Sequence, residues 1–351
     1  RAHTLAALSA PVAGSLEERA AVATRAVELA EAHGLLLAAQ HAHRDLAAYR
    51  SSQGDYASAR EHCLRGAELA RQAGSASAQS RILAFLVHLA VYFGELGEAG
   101  TALSEAQLLV QDLPGPTRAR VRILLGELWY LAHLGKWDTC LQEARSAQAS
   151  LRERGAERDL AEALLTLGLA IVESRQIGQA PHPGEWQEAE TALSEAAEIF
   201  DRSSSPQWGT YARILLGNLY LGLGRTADAQ RMLAEAREGD RRYPLFWLVG
   251  PRQWLQGQLA ASRGNWAEAI DHFEASSQTH HENRSRWWWA RLRLDWAQAH
   301  VSRGQSGDRQ LAAELLREAQ EAFQDMGVPR YAAFAQERLL ELAVALDKAG
   351  R

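Results

Sequence analysis

The stretch Gly264-Asn265-Trp266-Ala267-Glu268-Ala269 decides how this chain is read, because it returns. Gly184-Glu185-Trp186-Gln187-Glu188-Ala189 and Gly54-Asp55-Tyr56-Ala57-Ser58-Ala59 repeat it, with a glycine, an aromatic two residues on, and an alanine three after that. Weaker copies are Gly97-Glu98-Ala99, Gly135-Lys136-Trp137 and Gly224-Arg225-Thr226-Ala227-Asp228-Ala229, and degenerate ones are Gly14-Ser15-Leu16 and Gly304-Gln305-Ser306. The turn glycines are therefore Gly14, Gly54, Gly97, Gly135, Gly184, Gly224, Gly264 and Gly304. The steps from Gly184 to Gly224, Gly224 to Gly264 and Gly264 to Gly304 are equal. Three equal steps in succession, each of about 40 residues, mark a repeat.

Each interval contains a second break: Gly34, Gly74, Pro114-Gly115-Pro116, Gly155, Ser203-Ser204-Ser205-Pro206 or Tyr243-Pro244. One period therefore reads as helix, tight glycine turn, helix, looser loop. Glycine suits the tight turn because it enters the left-handed conformation that ends a helix without a Cβ clash. Composition agrees. Ala, Leu, Glu, Arg and Gln dominate, the residues that lose least on entering a helix, and only 9 prolines interrupt them. The expectation is an all-α chain with no strands.

The unit around Gly224 resembles a tetratricopeptide repeat position by position. Leu216 and Gly217 form the large-small pair of a first helix, Tyr220 follows, and Ala229 and Ala236 are the small residues of the second. The unit at Gly264 keeps Gly257, Trp266, Ala269 and Phe273, and the one at Gly97 keeps Leu89, Ala90, Phe93 and Ala102. The standard repeat has about 34 residues, so a unit near 40 carries longer helices. That longer unit resembles the sensor domains of large ATP-dependent bacterial transcriptional activators of the maltose-activator type. The resemblance implies a right-handed α-solenoid superhelix of about eight hairpins, forming one domain over residues 1–351. A capping helix at 329–346, opened by Pro329, would close its last apolar face. The last hairpin's second helix is expected at 309–326. Residues 176–184, with Pro181 and Pro183, read as a loop inserted in the fifth hairpin. The first residue is Arg1 rather than Met, so the chain reads as a fragment of a larger protein.

Several functions are disfavoured. A net charge of −5 and a pI near 6.2 argue against a nucleic-acid or anionic-membrane surface. Cys63 and Cys140 are the only cysteines, which makes no disulfide framework and suits a reducing cytoplasm. The longest apolar run, 82–93, is too short for a bilayer and reads as a core helix. No phosphate-binding Gly-x4-Gly-Lys-Ser/Thr loop and no His-Glu-x-x-His pattern occurs. His41 and His43 would point to opposite sides of a helix. His280-His281 and His182 read as surface or capping groups. No cofactor, metal or catalytic set is expected.

Tryptophan stands out. Eight of the 11 fall between Trp208 and Trp296. Trp137, Trp186 and Trp266 occupy the aromatic position of the repeat. Trp247, Trp254, Trp287, Trp288, Trp289 and Trp296 do not, and three consecutive indoles cannot share one helix face. They read either as thicker packing or as anchors for a ligand, with Trp247, Trp287 and Trp288 the candidates. Arg284, Arg286, Arg291, Arg293 and Arg303 accompany them and suit a carboxylate, a phosphate or an acidic peptide, or else a solvated face whose stems pack on indoles.

In the resembling fold the first helix of each hairpin lines the concave face. Repeat position then puts Arg44, Arg122, Trp129, Tyr211, Asn218, Trp254, Gln258, Arg291 and Gln298 there. Asn218, Gln258 and Gln298 hold one position in three successive hairpins, which suits either recognition of a backbone or an inter-helix hydrogen-bond ladder. The functional expectation is a cytoplasmic regulatory module that binds a peptide, a protein partner or a small-molecule effector on its concave face. It would then bias nucleotide-binding or DNA-binding domains of the same polypeptide. The alternative is a protein-protein interaction scaffold with no small-molecule ligand.

Overall fold

The computed structural model describes residues 16–112, 117–178, 184–203, 205–242 and 245–349. Among them are sixteen α-helices and no strand. The helices are α1 (Leu16–Ala32), α2 (Leu36–Ser52), α3 (Tyr56–Gln72), α4 (Ala76–Phe93), α5 (Leu96–Val110), α6 (Arg118–His133), α7 (Trp137–Glu153) and α8 (Glu157–Gln176). There follow α9 (Glu185–Arg202), α10 (Pro206–Gly222), α11 (Thr226–Arg242), α12 (Phe246–Ser262), α13 (Trp266–Glu282), α14 (Arg286–Arg303), α15 (Asp308–Asp325) and α16 (Pro329–Ala349).

The turns carry the period. Gly34, Gly54, Gly74 and Gly94 all have positive φ and are evenly spaced, so a single helix plus a short turn is the true unit, half the length of the hairpin. The amide after each glycine reaches back five positions: Leu35 to Ala30, Asp55 to Arg50, Ser75 to Ala70 and Glu95 to Ala90. This closure satisfies the last carbonyls of the helix and needs a left-handed residue at the glycine. Gly135, Gly155, Gly224, Gly264 and Gly327 repeat it. One step beyond Gly264, the same closure (Ser285 N to His280 O, 3.0 Å) is made with Arg284 at φ 53°.

Two expectations are corrected. Gly94, not Gly97, turns the third hairpin. Gly97 lies in the first turn of α5, and moving the turn to Gly94 brings the steps from Gly54 to Gly94 and from Gly94 to Gly135 close to those of the later hairpins. The second breaks at Gly34, Gly74 and Gly155 are as tight as the first ones, so the chain does not alternate tight and loose there. In the fifth hairpin Gly178 follows the end of α8 and Gly184 opens α9, which is where the long interval between Gly135 and Gly184 gains its length. The last hairpin's second helix is Asp308–Asp325, and the final helix runs on to Ala349. The expected turn at Gly14, the Pro114-Gly115-Pro116 and Tyr243-Pro244 breaks, Ser204, and His182 with its flanking prolines lie outside the described residues.

The chain divides into two compact units, residues 1–130 and 131–351, with the boundary inside α6. In unit 1, α2 packs on α3, α3 on α4 and α4 on α5, and α2 also touches α4. In unit 2 each helix from α9 to α14 packs on its predecessor, and α8 with α10, α10 with α12 and α12 with α14 make a second set of contacts. First helices thus form an inner layer and second helices an outer one. Small residues allow it: Ala229, Ala236 and Ala269 are completely buried. A Cβ on Gly217 would stand 2.6 Å from Leu255, and one on Gly257 would meet the Phe273 ring at 2.5 Å. Helix α4 is long and apolar enough to cross a membrane by length and composition alone, and 67% of it is buried inside unit 1.

Candidate ligand-binding face

The inner layer of unit 2 holds most of the residues the repeat position selected. Helix α10 brings Tyr211 and Asn218, α12 brings Trp247, Trp254 and Gln258, and α14 brings Trp287, Trp288, Arg291 and Gln298. The aromatic members form one connected cluster. Tyr211 lies edge-on to Trp247 (5.8 Å between centroids) and to Trp288 (6.2 Å), and Trp288 meets Trp254 at 6.0 Å and Trp287 at 4.8 Å. Edge-to-face geometry at these distances adds to area burial. Tyr211, Trp254, Trp287 and Trp288 are buried, whereas Trp247 is half-buried. For the buried four, packing accounts for the rings, since the chain's own side chains already cover them. Of the three consecutive tryptophans the half-buried one is Trp289, and Arg293 lies 3.2 Å above its ring.

Arg291 shows what fills the centre. Its side chain is 1% exposed, and its Nε donates to Glu173 Oε2 at 2.7 Å. Nη2 donates to Gln176 Oε1 at 2.5 Å, and Nη1 stands 3.4 Å from Asp295. The guanidinium also lies over the Trp254 ring, 5.1 Å from its centroid. Tyr331 Oη donates to the same Glu173 oxygen at 2.9 Å. Burial alone would lower the pKa of Arg291, but the carboxylates of Glu173 and Asp295 outweigh it and hold the value above the ordinary one. Burial, then the Glu173 charge, pushes Tyr331 well up. Arg291 is therefore a fixed cation between two carboxylates of its own chain.

The amides sit at the other end of these helices. Asn218 is 3% exposed, and its Oδ1 has no hydrogen-bond partner among the described residues. Gln258 donates Nε2 to Asp295 Oδ2 at 2.7 Å, beside Trp254 Nε1 on the same oxygen at 2.9 Å, while its own buried Oε1 lacks a partner among the described residues. Gln298 is exposed and donates to Ser302 Oγ at 3.1 Å. Buried oxygens left unmatched cost about 1–3 kcal/mol each, and these two hold one repeat position in successive hairpins.

The remaining expected residues lie in unit 1. Arg44 is exposed and pairs with its neighbour Asp45 at 2.8 Å, Arg122 is half-buried, and Trp129 is buried with its ring stacked 6.4 Å from His88. His41 is exposed and His43 buried, as their spacing implies. His43 Nδ1 stands 3.0 Å from His62 Nδ1, and its Nε2 faces Glu31 at 3.4 Å. His280, expected at the surface, is buried instead, because α13 turns its ring against Gly250, and its Nδ1 stands 2.9 Å from Ser285 Oγ. Burial pushes its pKa down to about 3. Both cysteines are buried and form no disulfide with each other, and burial raises the pKa of each thiol to about 12. No group of three or more potential metal ligands occurs among the described residues.

Sequence position did not select Glu173, Gln176, Tyr331 or His133. One signal for Glu173 was there: it ends the apolar run Leu167-Gly168-Leu169-Ala170-Ile171-Val172. An acid in such a run needs a cation brought from elsewhere.

No family model matches the sequence, and no curated protein does. Solved structures do match in fold. A Rap protein complexed with competence and sporulation factor is 12% identical, covering 99% of this chain and 96% of that one, with a TM-score of 0.60. Aspartyl phosphate phosphatase F from Bacillus subtilis is 11% identical over 90% of this chain and 78% of that one, at 0.59. A signal-transduction ATPase with numerous domains and a tetratricopeptide repeat sensor, from Pyrococcus horikoshii, is 13% identical over 97% of this chain, at 0.51. This chain spans 54% of that protein's length. The chain has the tetratricopeptide-type all-α repeat fold.

Proposed function

We propose that the chain is the ligand- or peptide-binding regulatory module of a larger bacterial signalling or transcription-regulating protein, its two units acting as one repeat domain. The effector contacts the inner face of α10, α12 and α14 at Asn218, Gln258 and Gln298, with half-buried Trp247 as the aromatic anchor. The observation that carries this reading is the pair of buried amide oxygens, Asn218 Oδ1 and Gln258 Oε1, at one repeat position and without partners among the described residues. A backbone N–H or a hydroxyl spaced along the helices would satisfy both. Binding would then bias attached nucleotide-binding or DNA-binding domains through small changes at each interface, which add along a repeat array. The fold likeness to a repeat sensor of a signal-transduction ATPase supports this reading.

A thermal-shift screen with sugars, nucleotides, amino acids and short peptides tests it. An effector present at 100 times its Kd raises stability by about 2.7 kcal/mol. The Asn218→Ala/Gln258→Ala/Gln298→Ala variant should then lose the shift while keeping its helical content, and unchanged binding would dismiss the amide site. A scaffold that docks only a protein partner is the second reading. It is favoured by the burial of Trp254, Trp287 and Trp288, which withdraws three aromatic anchors from any small ligand.

A further inference from the structure

Three arginines form a row across the inner layer of unit 1. Arg44 on α2, Arg81 on α4 and Arg118 on α6 are separated by equal steps along the chain. Their distance from the turn glycines Gly54, Gly94 and Gly135 grows by about one helical turn per hairpin. Residues three or four apart share a helix face, so the row keeps to one face and crosses the three helices diagonally. These helices are neighbours: α2 touches α4, and a Cβ on Gly126 of α6 would stand 3.5 Å from Ala84 O of α4.

Little in the fold neutralises the row. Arg44 is exposed and pairs with the adjacent Asp45 at 2.8 Å, a contact that water and salt readily replace. Half-buried Arg81 donates Nε to Ser77 O at 3.1 Å and, like exposed Arg118, has no carboxylate partner among the described residues. Leu37, His41 and Ala48 on α2 and Ser77, Phe85 and His88 on α4 share faces with the arginines, and none is an acid. Burial, then the charges of Arg118 and Arg44, lower the pKa of Arg81, so the guanidinium groups act on one another.

Such a row is relieved by an anion, and the planar guanidinium fork matches a carboxylate. Packed helix axes about 8–10 Å apart and a turn of about 5.4 Å set adjacent arginines about 10–11 Å apart. A polyproline II segment returns to one face every third residue, about 9 Å along, and flexible arginine side chains cover the difference. A long polyphosphate backbone fits less well, because a chain of net charge −5 repels the charges beyond the row.

We propose that the inner layer of unit 1 docks an acidic peptide segment of a partner protein, extended and carrying a carboxylate at every third residue. Arg44, Arg81 and Arg118 each hold one carboxylate. This face uses none of Asn218, Gln258 and Gln298 and operates whether or not an effector binds unit 2.

Fluorescence anisotropy of the full chain with a fluorescein-labelled Glu-Pro-Pro repeat of about 12 residues tests it. Binding should appear at about 50 mM salt and weaken at least about tenfold by about 300 mM. Matched Gln-Pro-Pro and Lys-Pro-Pro repeats should not bind. Arg81→Gln should weaken binding about tenfold, and Arg44→Gln or Arg118→Gln about threefold, since the half-buried cation is less screened by water. The variant with all three changes should not bind, yet should melt as the wild type does. Asn218→Ala/Gln258→Ala/Gln298→Ala, and Arg309→Gln at an exposed site in unit 2, should bind normally. Failure of the Glu-Pro-Pro repeat to bind, equal binding of the neutral repeat, or wild-type binding by the triple arginine variant would overturn the docking face. An equal loss in Arg309→Gln, or full displacement by millimolar inorganic phosphate, would do the same.

Discussion

Units 1 and 2 are built from the same helix-and-turn step and use it to different ends. Unit 1 is filled by Ala39, Ala42, Ala47, Ala59, Ala70 and aliphatics such as Ile82 and Val87, and contains only Trp129 of the 11 tryptophans. Its described polar links run between near neighbours: His43 to His62, Arg65 to Glu31, and Tyr56 to Glu98 at 2.6 Å. Unit 2 carries every other tryptophan and links the end of α6 and helix α8 to α14 and α16. Small residues make a stack that each pair of hairpins completes locally. Large aromatics and a buried ion pair make contacts that exist only once several hairpins are in place.

The largest expected effect attacks that difference directly. Arg291→Met leaves Glu173 buried without its cation and should cost unit 2 about 3–5 kcal/mol in urea denaturation, whereas the Glu173→Leu/Arg291→Met pair should recover most of it. The corresponding cut in unit 1, Arg65→Met, involves partners 46% and 35% exposed and should cost less than about 1 kcal/mol. Similar losses from the two single changes would mean that both units depend equally on ion pairs.

Acid should weaken both units through buried histidines. His280 ionises near pH 6.5 when unfolded and near 3 when folded. Its folded value is depressed, so the native state disfavours the protonated form. The stability this gives is complete above pH 6.5 and declines as the pH falls toward 3, by at most about 1.4 kcal/mol per pH unit. His280→Asn should flatten the stability curve of unit 2 over that window. The His43 pKa is lowered by burial against the opposing pull of Glu31, so unit 1 should also weaken below pH 6.5. An unchanged curve in His280→Asn would show that other groups govern acid sensitivity in unit 2.

Packing gives a smaller effect. Gly257→Ala places a Cβ 2.5 Å from the Phe273 ring and should cost about 1–3 kcal/mol by calorimetry, since the ring must move within a filled interface. The smallest changes concern the turns. Arg284 takes a left-handed conformation that unit 1 gives to glycine at Gly34, Gly54, Gly74 and Gly94. Arg284→Gly should raise stability by up to about 1 kcal/mol, and Gly74→Ala, with open space around the new methyl, should lower it by about 1–2 kcal/mol. Opposite signs for the two would show that one turn geometry serves both units.

How much the sequence revealed follows from the range of each cause. The turn glycines, the alanines at 229, 236 and 269, and Gly217 and Gly257 act within one hairpin or its neighbour, so their regular recurrence was legible in a single sequence. The misplacement of the third turn has the same origin, because Gly97 fits the spelling of the motif while Gly94 has the backbone conformation. Repeat position also placed Asn218, Gln258 and Gln298 on equivalent points of α10, α12 and α14. What it could not supply was how much water each would meet: Asn218 is buried, Gln258 half-buried and Gln298 exposed.

By itself, then, the sequence determined the helical hairpin, its period and its inner layer, since short-range turn chemistry and small-residue spacing are sufficient causes of all three. Tertiary structure alone decided that Trp254, Trp287 and Trp288 are core, and that Arg291 belongs to Glu173. A side chain's partner 118 residues away depends on the accumulated rotation of every intervening hairpin, and no local pattern records that sum.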